Sequence, residues 1–149
     1  MNTREIKFRA KIIHSVPELN EKKWAYGMPV PSQFGCGYML NIDSCKNADF
    51  FNSRWTMPSC ESTKPINEYT IGQYTGKKDK NGVEIYNGDI VKTKNGRLCI
   101  VRWFSSDNFV GFDMKPIETE HECPSEYDLY KSDNLEVIGN IYDNPELIK

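Results

Sequence analysis

The stretch Ile71–Val91, IGQYTGKKDKNGVEIYNGDIV, decides how this chain folds. Asn81-Gly82 and Asn87-Gly88 supply the residue pair that tolerates positive φ in tight hairpin turns, and Asn95-Gly96 follows closely. Three Asn-Gly pairs in sixteen residues exclude a helix. A glycine inside a helix costs about 1 kcal/mol, and asparagine is also a poor helix former. The pattern predicts a strand over Asn67–Thr75 with Tyr69, Ile71 and Gln73 on one face. A tight turn at Lys80–Gly82, a return strand at Val83–Tyr86 and a further strand over Asp89–Lys94 follow.

Downstream, Arg97–Phe104 (RLCIVRWF) is the most apolar strand. Cys99, Val101 and Trp103 share one face, Leu98, Ile100 and Phe104 the other, so both faces are expected to be covered. A strand over Asn108–Met114 places Val110, Phe112 and Met114 inward. The acidic stretch Pro116–Asp133 reads as a loop with one short helix at Pro124–Tyr130, with proline first and acids in the opening turn. Leu135–Tyr142 is the closing strand, broken or bulged at Gly139, and Asn144-Pro145-Glu146-Leu147 carries an Asn cap with proline at the first helical position. Short strands at hairpin spacing after residue 70 indicate a small SH3-like barrel, closed or partly closed.

Upstream, Glu5–Ile13 alternates Ile6, Phe8 and Ala10 with Lys7, Arg9 and Lys11, as a half-buried strand does. Trp24–Val30 and Phe34–Ile42 are strand candidates that can pair through the short turn between them, the second carrying glycines beside aromatics as a bulged strand does. Ser44–Pro65 is irregular, anchored by Phe50, Phe51, Trp55 and Met57, with either a helical turn near Ala48–Asn52 or a strand around Phe51–Met57. The expected fold is mainly β (β-rich α+β). An SH3-like barrel over residues 67–149, with a short helical insertion, packs on a β-rich N-terminal module over residues 1–66.

Composition sets limits on chemistry. At 149 residues, 38% hydrophobic and 27% charged, the chain has the balance of a folded domain with a real core. No window approaches the run of about 18 apolar residues that spans a bilayer, and the opening MNTREIKFRAKII is charged, so a cytoplasmic protein in a bacterial host is expected. Cys36, Cys45, Cys60, Cys99 and Cys123 form no CxxC pair. Reduced, mostly buried thiols are expected, with no zinc and no cofactor. Charge is segregated: residues 71–102 carry seven Lys/Arg against three Asp/Glu, and residues 103–149 carry three against eleven.

IKFRA at Ile6–Ala10, WAYG at Trp24–Gly27, the Ile71–Val91 stretch and EVIGNIYDNPEL at Glu136–Leu147 resemble, in this order, the YopX family of phage and prophage proteins. About a third of the residues carry the resemblance, and those between Gly35 and Pro65 carry almost none. Lys11, where the family often has Trp, and Lys77, where Leu is usual, depart from it. The resemblance implies a small β-rich phage protein with an SH3-type barrel. It brings no established activity and no catalytic residue.

The residues themselves offer little chemistry. Gly72–Gly76 lacks the Gly-Lys-Ser/Thr ending of a phosphate loop. Asp79 is expected to support its own turn by bonding the backbone, rather than to join Glu84 and Asp89 around a metal. His121 and Cys123 sit in an acidic loop too irregular to hold a nucleophile and its base. The expectation is therefore a non-enzymatic phage accessory protein that binds a protein, either its own copies or a host factor. Its surface would be the barrel loops and the acidic segment Glu118–Asp133, with Tyr127 and Tyr130 as anchors beside Glu120 and Glu122. The alternative is nucleic-acid binding by Lys77, Lys78 and Lys80, with Lys92, Lys94, Arg97 and Arg102 behind them.

Overall fold

A computed structural model describes residues 5–13, 24–30, 37–41, 63–118, 129 and 134–148. Among these the chain is mainly β, its strands joined by tight turns and short 3-10 segments, and it divides into two compact units. One is Lys7–Gly72; the other is Gln73–Lys149 together with Met1–Ile6.

The first unit is an antiparallel sheet of β1 (Phe8–Lys11), β2 (Trp24–Val30), β3 (Gly37–Leu40) and β4 (Thr63–Ile66), in the order β4-β3-β2-β1. Ala10 faces Ala25 across β1 and β2, and these two pack with Met39 and Ile66 as a small core flanked by Phe8, Ile12 and Ile71. The expected pairing of the second and third strands is present. The alternation in β1 holds less well. Ile6 is 58% exposed, whereas Arg9 is buried with its guanidinium carbon 4.5 Å from the Trp24 ring centre. A guanidinium that stacks on an aromatic ring keeps its apolar faces out of water, so a charged residue is accommodated where alternation predicts a solvated one. The helical turn or strand expected between Ala48 and Met57 lies outside the described residues.

The strand expected over Asn67–Thr75 is interrupted. Glu68–Thr70 forms a 3-10 turn, and Tyr69 is left almost fully exposed. The Asn67 side chain accepts the Tyr69 amide, and Thr70 Oγ1 donates to the Asn67 carbonyl at 2.7 Å. These local bonds compete successfully with a ladder. Thr70 Oγ1 also accepts the Lys11 amide at 2.9 Å, which ties the turn to β1.

The second unit opens with β5 (Gly72–Lys78), which pairs with β6 (Glu84–Tyr86) through the Asn81-Gly82 turn. The ladder jumps from Tyr74↔Tyr86 to Lys78↔Glu84, so β5 bulges at Thr75–Lys77. A four-stranded antiparallel sheet follows in the order β10-β7-β8-β9. Its strands are β7 (Asp89–Lys92), β8 (Leu98–Ser105), β9 (Val110–Pro116) and β10 (Glu136–Asn140). The glycines of all three Asn-Gly pairs have φ near +80° to +90°, as hairpin turns require. The core gathers Ile85, Val91, Cys99, Val101, Met114, Leu129 and Leu135, with Phe112 and Val137 against it. The helix expected over Pro124–Tyr130 lies outside the described residues apart from Leu129.

The turn Tyr86–Asp89 ties these strands together. Gly88 donates its amide to the Val101 carbonyl at 2.8 Å and accepts the Ile141 amide at 3.0 Å. Asn87 donates its amide to the Gln73 carbonyl, and its side chain accepts the Trp103 amide at 3.1 Å. The fully buried Asp89 carboxylate closes the turn on the Tyr86 amide at 2.7 Å. β10 carries the bulge expected at Gly139, with the register shifting between Val137 and Gly139. Pro145–Ile148 forms the short helical turn anticipated after Asn144.

A Cβ on Gly139 would collide with the Asn144 side chain, lying 2.8 Å from its Cγ. We predict that Gly139→Ala lowers the unfolding free energy by about 1–3 kcal/mol through overpacking. Asn144→Ala in the Gly139→Ala background should restore part of the loss, as read by urea titration of the single and double variants.

Candidate functional site

The β8–β9 hairpin is longer than the sheet that carries it. β7 begins at Asp89 and pairs with β8 only as far as Ile90↔Ile100, whereas β8 and β9 stay paired out to Ser105↔Val110. Beyond Val101 each arm of the hairpin therefore has only the other as its strand neighbour, and side chains that alternation places inward meet water. Trp103 is 51% exposed and Val110 64%, contrary to the inward placement expected for both; Phe109 is also exposed. Leu98, Ile100 and Phe104 on the opposite face are only partly buried, so the expected covering of both faces is incomplete.

The overhang is ordered by its own aromatics. Trp103 meets Phe112 edge to face at 5.0 Å, directly opposite in register. Phe104 stacks on Phe109 at 6.5 Å on the other face, and the Arg102 guanidinium lies 4.8 Å from the Phe104 ring centre and 3.4 Å from Asp113. Edge-to-face rings and guanidinium–aromatic contacts each contribute about 0.5–1.5 kcal/mol. An exposed tryptophan, flanked by phenylalanines and an arginine on a rigid hairpin, has the composition of a protein-binding surface.

The basic residues singled out in the sequence lie on two turns of the same unit. Lys77, Lys78 and Lys80 belong to the β5–β6 hairpin, and Lys94 and Arg97 to the β7–β8 turn, with Lys92 ending β7. Between them stands an acid: Glu136 faces Lys92 in register and accepts from Lys80 Nζ at 2.8 Å. Both partners of that ion pair are more than a third exposed, so it adds no more than about 1 kcal/mol. It does reduce the positive field at the centre of the cluster.

Asp79 acts as a structural staple. Its Oδ1 accepts the Asn81 and Val83 amides at 2.7 and 2.9 Å, closing the Asn-Gly turn as expected. Its Oδ2 accepts the Val137 amide at 3.0 Å, and the Lys80 amide donates to the Leu135 carbonyl at 3.0 Å, so this turn seals the outer edge of β10. Burial by itself would raise the Asp79 pKa, but the Val137, Val83 and Asn81 amides together outweigh it and hold the carboxyl below its ordinary value.

Tyr127, Tyr130, Glu120 and Glu122 lie outside the described residues, as do His14, His121, Cys36, Cys45, Cys60 and Cys123. Glu118 is described and exposed. Cys99 is fully buried, and burial pushes its thiol up to about 11, with Arg97 lowering it and Asp113 raising it. It stays protonated near neutral pH and packs as a small hydrophobe. Gly72–Gly76 is strand and bulge. Among the described residues no cluster of three or more His, Cys, Asp or Glu could hold a metal ion, and no helix is long and apolar enough to cross a membrane. The first unit has one open groove worth noting, lined by Ile12, Trp24, Tyr26, Met39 and Lys64.

Comparison with known proteins adds two findings. The family model for the YopX protein matches residues 35–149, which takes in the stretch after Gly35 where the resemblance is faint and leaves out IKFRA and WAYG. Among solved structures the chain is similar to protein EF1440 from Enterococcus faecalis, with a TM-score of 0.51 and 21% identity over 99% of this chain and 100% of that one. A likeness at that identity concerns the fold. No curated protein matches.

A carboxylate whose folded-state pKa is depressed stabilises the fold above its unfolded value, here near 3.8, and loses that contribution as pH falls through the lower folded value. We predict that unfolding free energy declines as pH drops below about 4, and that Asp79→Asn flattens this decline. At pH 7 Asp79→Asn should cost about 1–3 kcal/mol, because the new amide sets a donor against one of the three backbone amides. Urea titrations of both proteins at a series of pH values read both effects.

Proposed function

We propose that this chain, which belongs to the YopX family, is a protein-binding module whose contact surface is the overhanging β8–β9 hairpin. The observation that carries the proposal is the exposure of Trp103, Phe109 and Val110 together on a hairpin that outruns its neighbouring strands. Burying such side chains against a partner is worth about 1.5–3 kcal/mol each, and anchors of this type dominate interfaces. The module acts by contact rather than by chemistry. The reading extends to a phage accessory protein working in the bacterial cytoplasm, with an SH3-like barrel in the C-terminal part. The acidic segment Glu118–Asp133, with Tyr127 and Tyr130, would flank the hairpin surface.

Nucleic-acid binding is the second reading. It is favoured by the exposure of Lys78, Lys92, Lys94 and Arg97 on and beside the two hairpin turns. It is weakened by Glu136 between them. Phosphate binding would show as affinity falling steeply with salt.

The test is the Trp103→Ser, Val110→Ser double variant. Neither residue belongs to the buried core, so its thermal unfolding should match the parent's closely. We predict that proteins retained by the immobilised parent chain from phage-infected cells lose at least about 90% of their binding to the variant, the result of removing roughly 2 kcal/mol or more. Equal retention by a folded variant would contradict the proposal.

A further inference from the structure

The two edges of the four-stranded sheet differ. The β10 edge is closed by Asp79 and Lys80, which bond Val137 and Leu135. The β9 edge has no neighbouring strand among the described residues. Which of its backbone groups face outward follows from two anchors. Ser106 and Phe109 exchange backbone bonds at the turn, and the Ile117 amide donates to the Leu98 carbonyl at 3.0 Å. Bonded and non-bonded pairs alternate along an antiparallel ladder. Gly111, Asp113 and Lys115 therefore bond to β8, opposite Phe104, Arg102 and Ile100. Val110, Phe112 and Met114 direct their N–H and C=O groups away from the sheet. A row of this kind is a template for another strand.

We infer that β9 pairs antiparallel with β9 of a second copy of this chain, with Met114 opposite its own equivalent. This deepens the protein-binding reading and rests on it, by naming the partner as the protein itself. Charge selects both partner and register. Pairing about Met114 sets Asp113 opposite Lys115 of the second copy, and Lys115 opposite Asp113. These are non-bonded positions, where side chains across an antiparallel pair come closest. Pairing one step over would set Asp113 against Asp113, and pairing about Phe112 would set it against Gly111. In the selected register the Met114 residues exchange both backbone bonds, and each Phe112 amide donates to the opposite Pro116 carbonyl. Pro116 has no N–H to donate, so the ladder ends there and cannot slide further. Asp113 already lies 3.4 Å from Arg102, so its carboxylate is held on the strand when the partner arrives.

Sedimentation velocity of the full chain over a concentration series tests this. The parent should show reversible dimerisation. Lys115→Asp and Asp113→Lys, each alone, should weaken it by about tenfold or more, since each sets like charges across both positions. An equimolar mixture of the two variants should regain dimerisation, because every mixed pair again opposes unlike charges. General damage to the fold would not be rescued by mixing. Lys115 is exposed and outside the core, so Lys115→Asp remains informative if loss of the Arg102 contact unfolds Asp113→Lys. A parent that stays monomeric throughout, or a dimer indifferent to Lys115→Asp, overturns the inference. Either result leaves the protein-binding reading to the Trp103 and Val110 variant, whose captured partners are scored separately.

Discussion

The peptide unit of Gly88 is shared between two parts of the second unit: its amide is bonded to Val101 and its carbonyl to Ile141. Few single residues in a small sheet serve a strand and a C-terminal segment at once, and here the positive φ of +87° makes it possible. Asn87 extends the junction to Gln73 and Trp103, and Asp89 closes it on Tyr86. Because the turn ends where it does, β7 starts at Asp89 and stops accompanying β8 near Val101. The overhang of the β8–β9 hairpin, with the exposure of Trp103 and Val110, is thus a consequence of where one turn is anchored. The proposed function inherits that dependence.

The same unit protects its edges unequally. Asp79 contributes more than a turn, since one carboxylate oxygen holds the Asn-Gly hairpin and the other caps β10 at Val137. A buried carboxylate is tolerated there because three backbone amides replace the water it gives up. β9 has the unlike charges Asp113 and Lys115 at alternate positions and a proline at its end. Proline and charge on an edge usually discourage pairing. Their spacing about Met114 makes this edge complementary to itself, so that the features that reject a general strand admit one particular partner.

Much of this was legible in the sequence, and the failures share a cause. The Asn-Gly pairs located every hairpin turn from Lys80 to Gly96 because the backbone conformation they permit is local. The bulge at Gly139, the turn-supporting role of Asp79 and the apolar burial of Cys99 were legible for similar reasons. Alternation in β8 and β9 identified the faces but not how long the neighbouring strands were, and so misplaced Trp103 and Val110. Tyr69 was lost to a side-chain-to-backbone turn at Asn67 and Thr70 that apolar spacing does not register. Arg9 was read as solvated because its aromatic partner Trp24 is distant in sequence. The site was less legible than the fold. An overhang is a difference between strand lengths, and the sequence shows each strand separately.

The anchoring of the Asn87–Asp89 turn is the claim from which the rest follows, and amide hydrogen exchange followed by NMR tests it most directly. If Gly88 is shared as described, the Gly88 and Ile141 amides exchange only with global unfolding, at the rate of core amides in β7 and β8. Exchange of these two amides as fast as those of the exposed turn at Asp107-Asn108 would contradict the account.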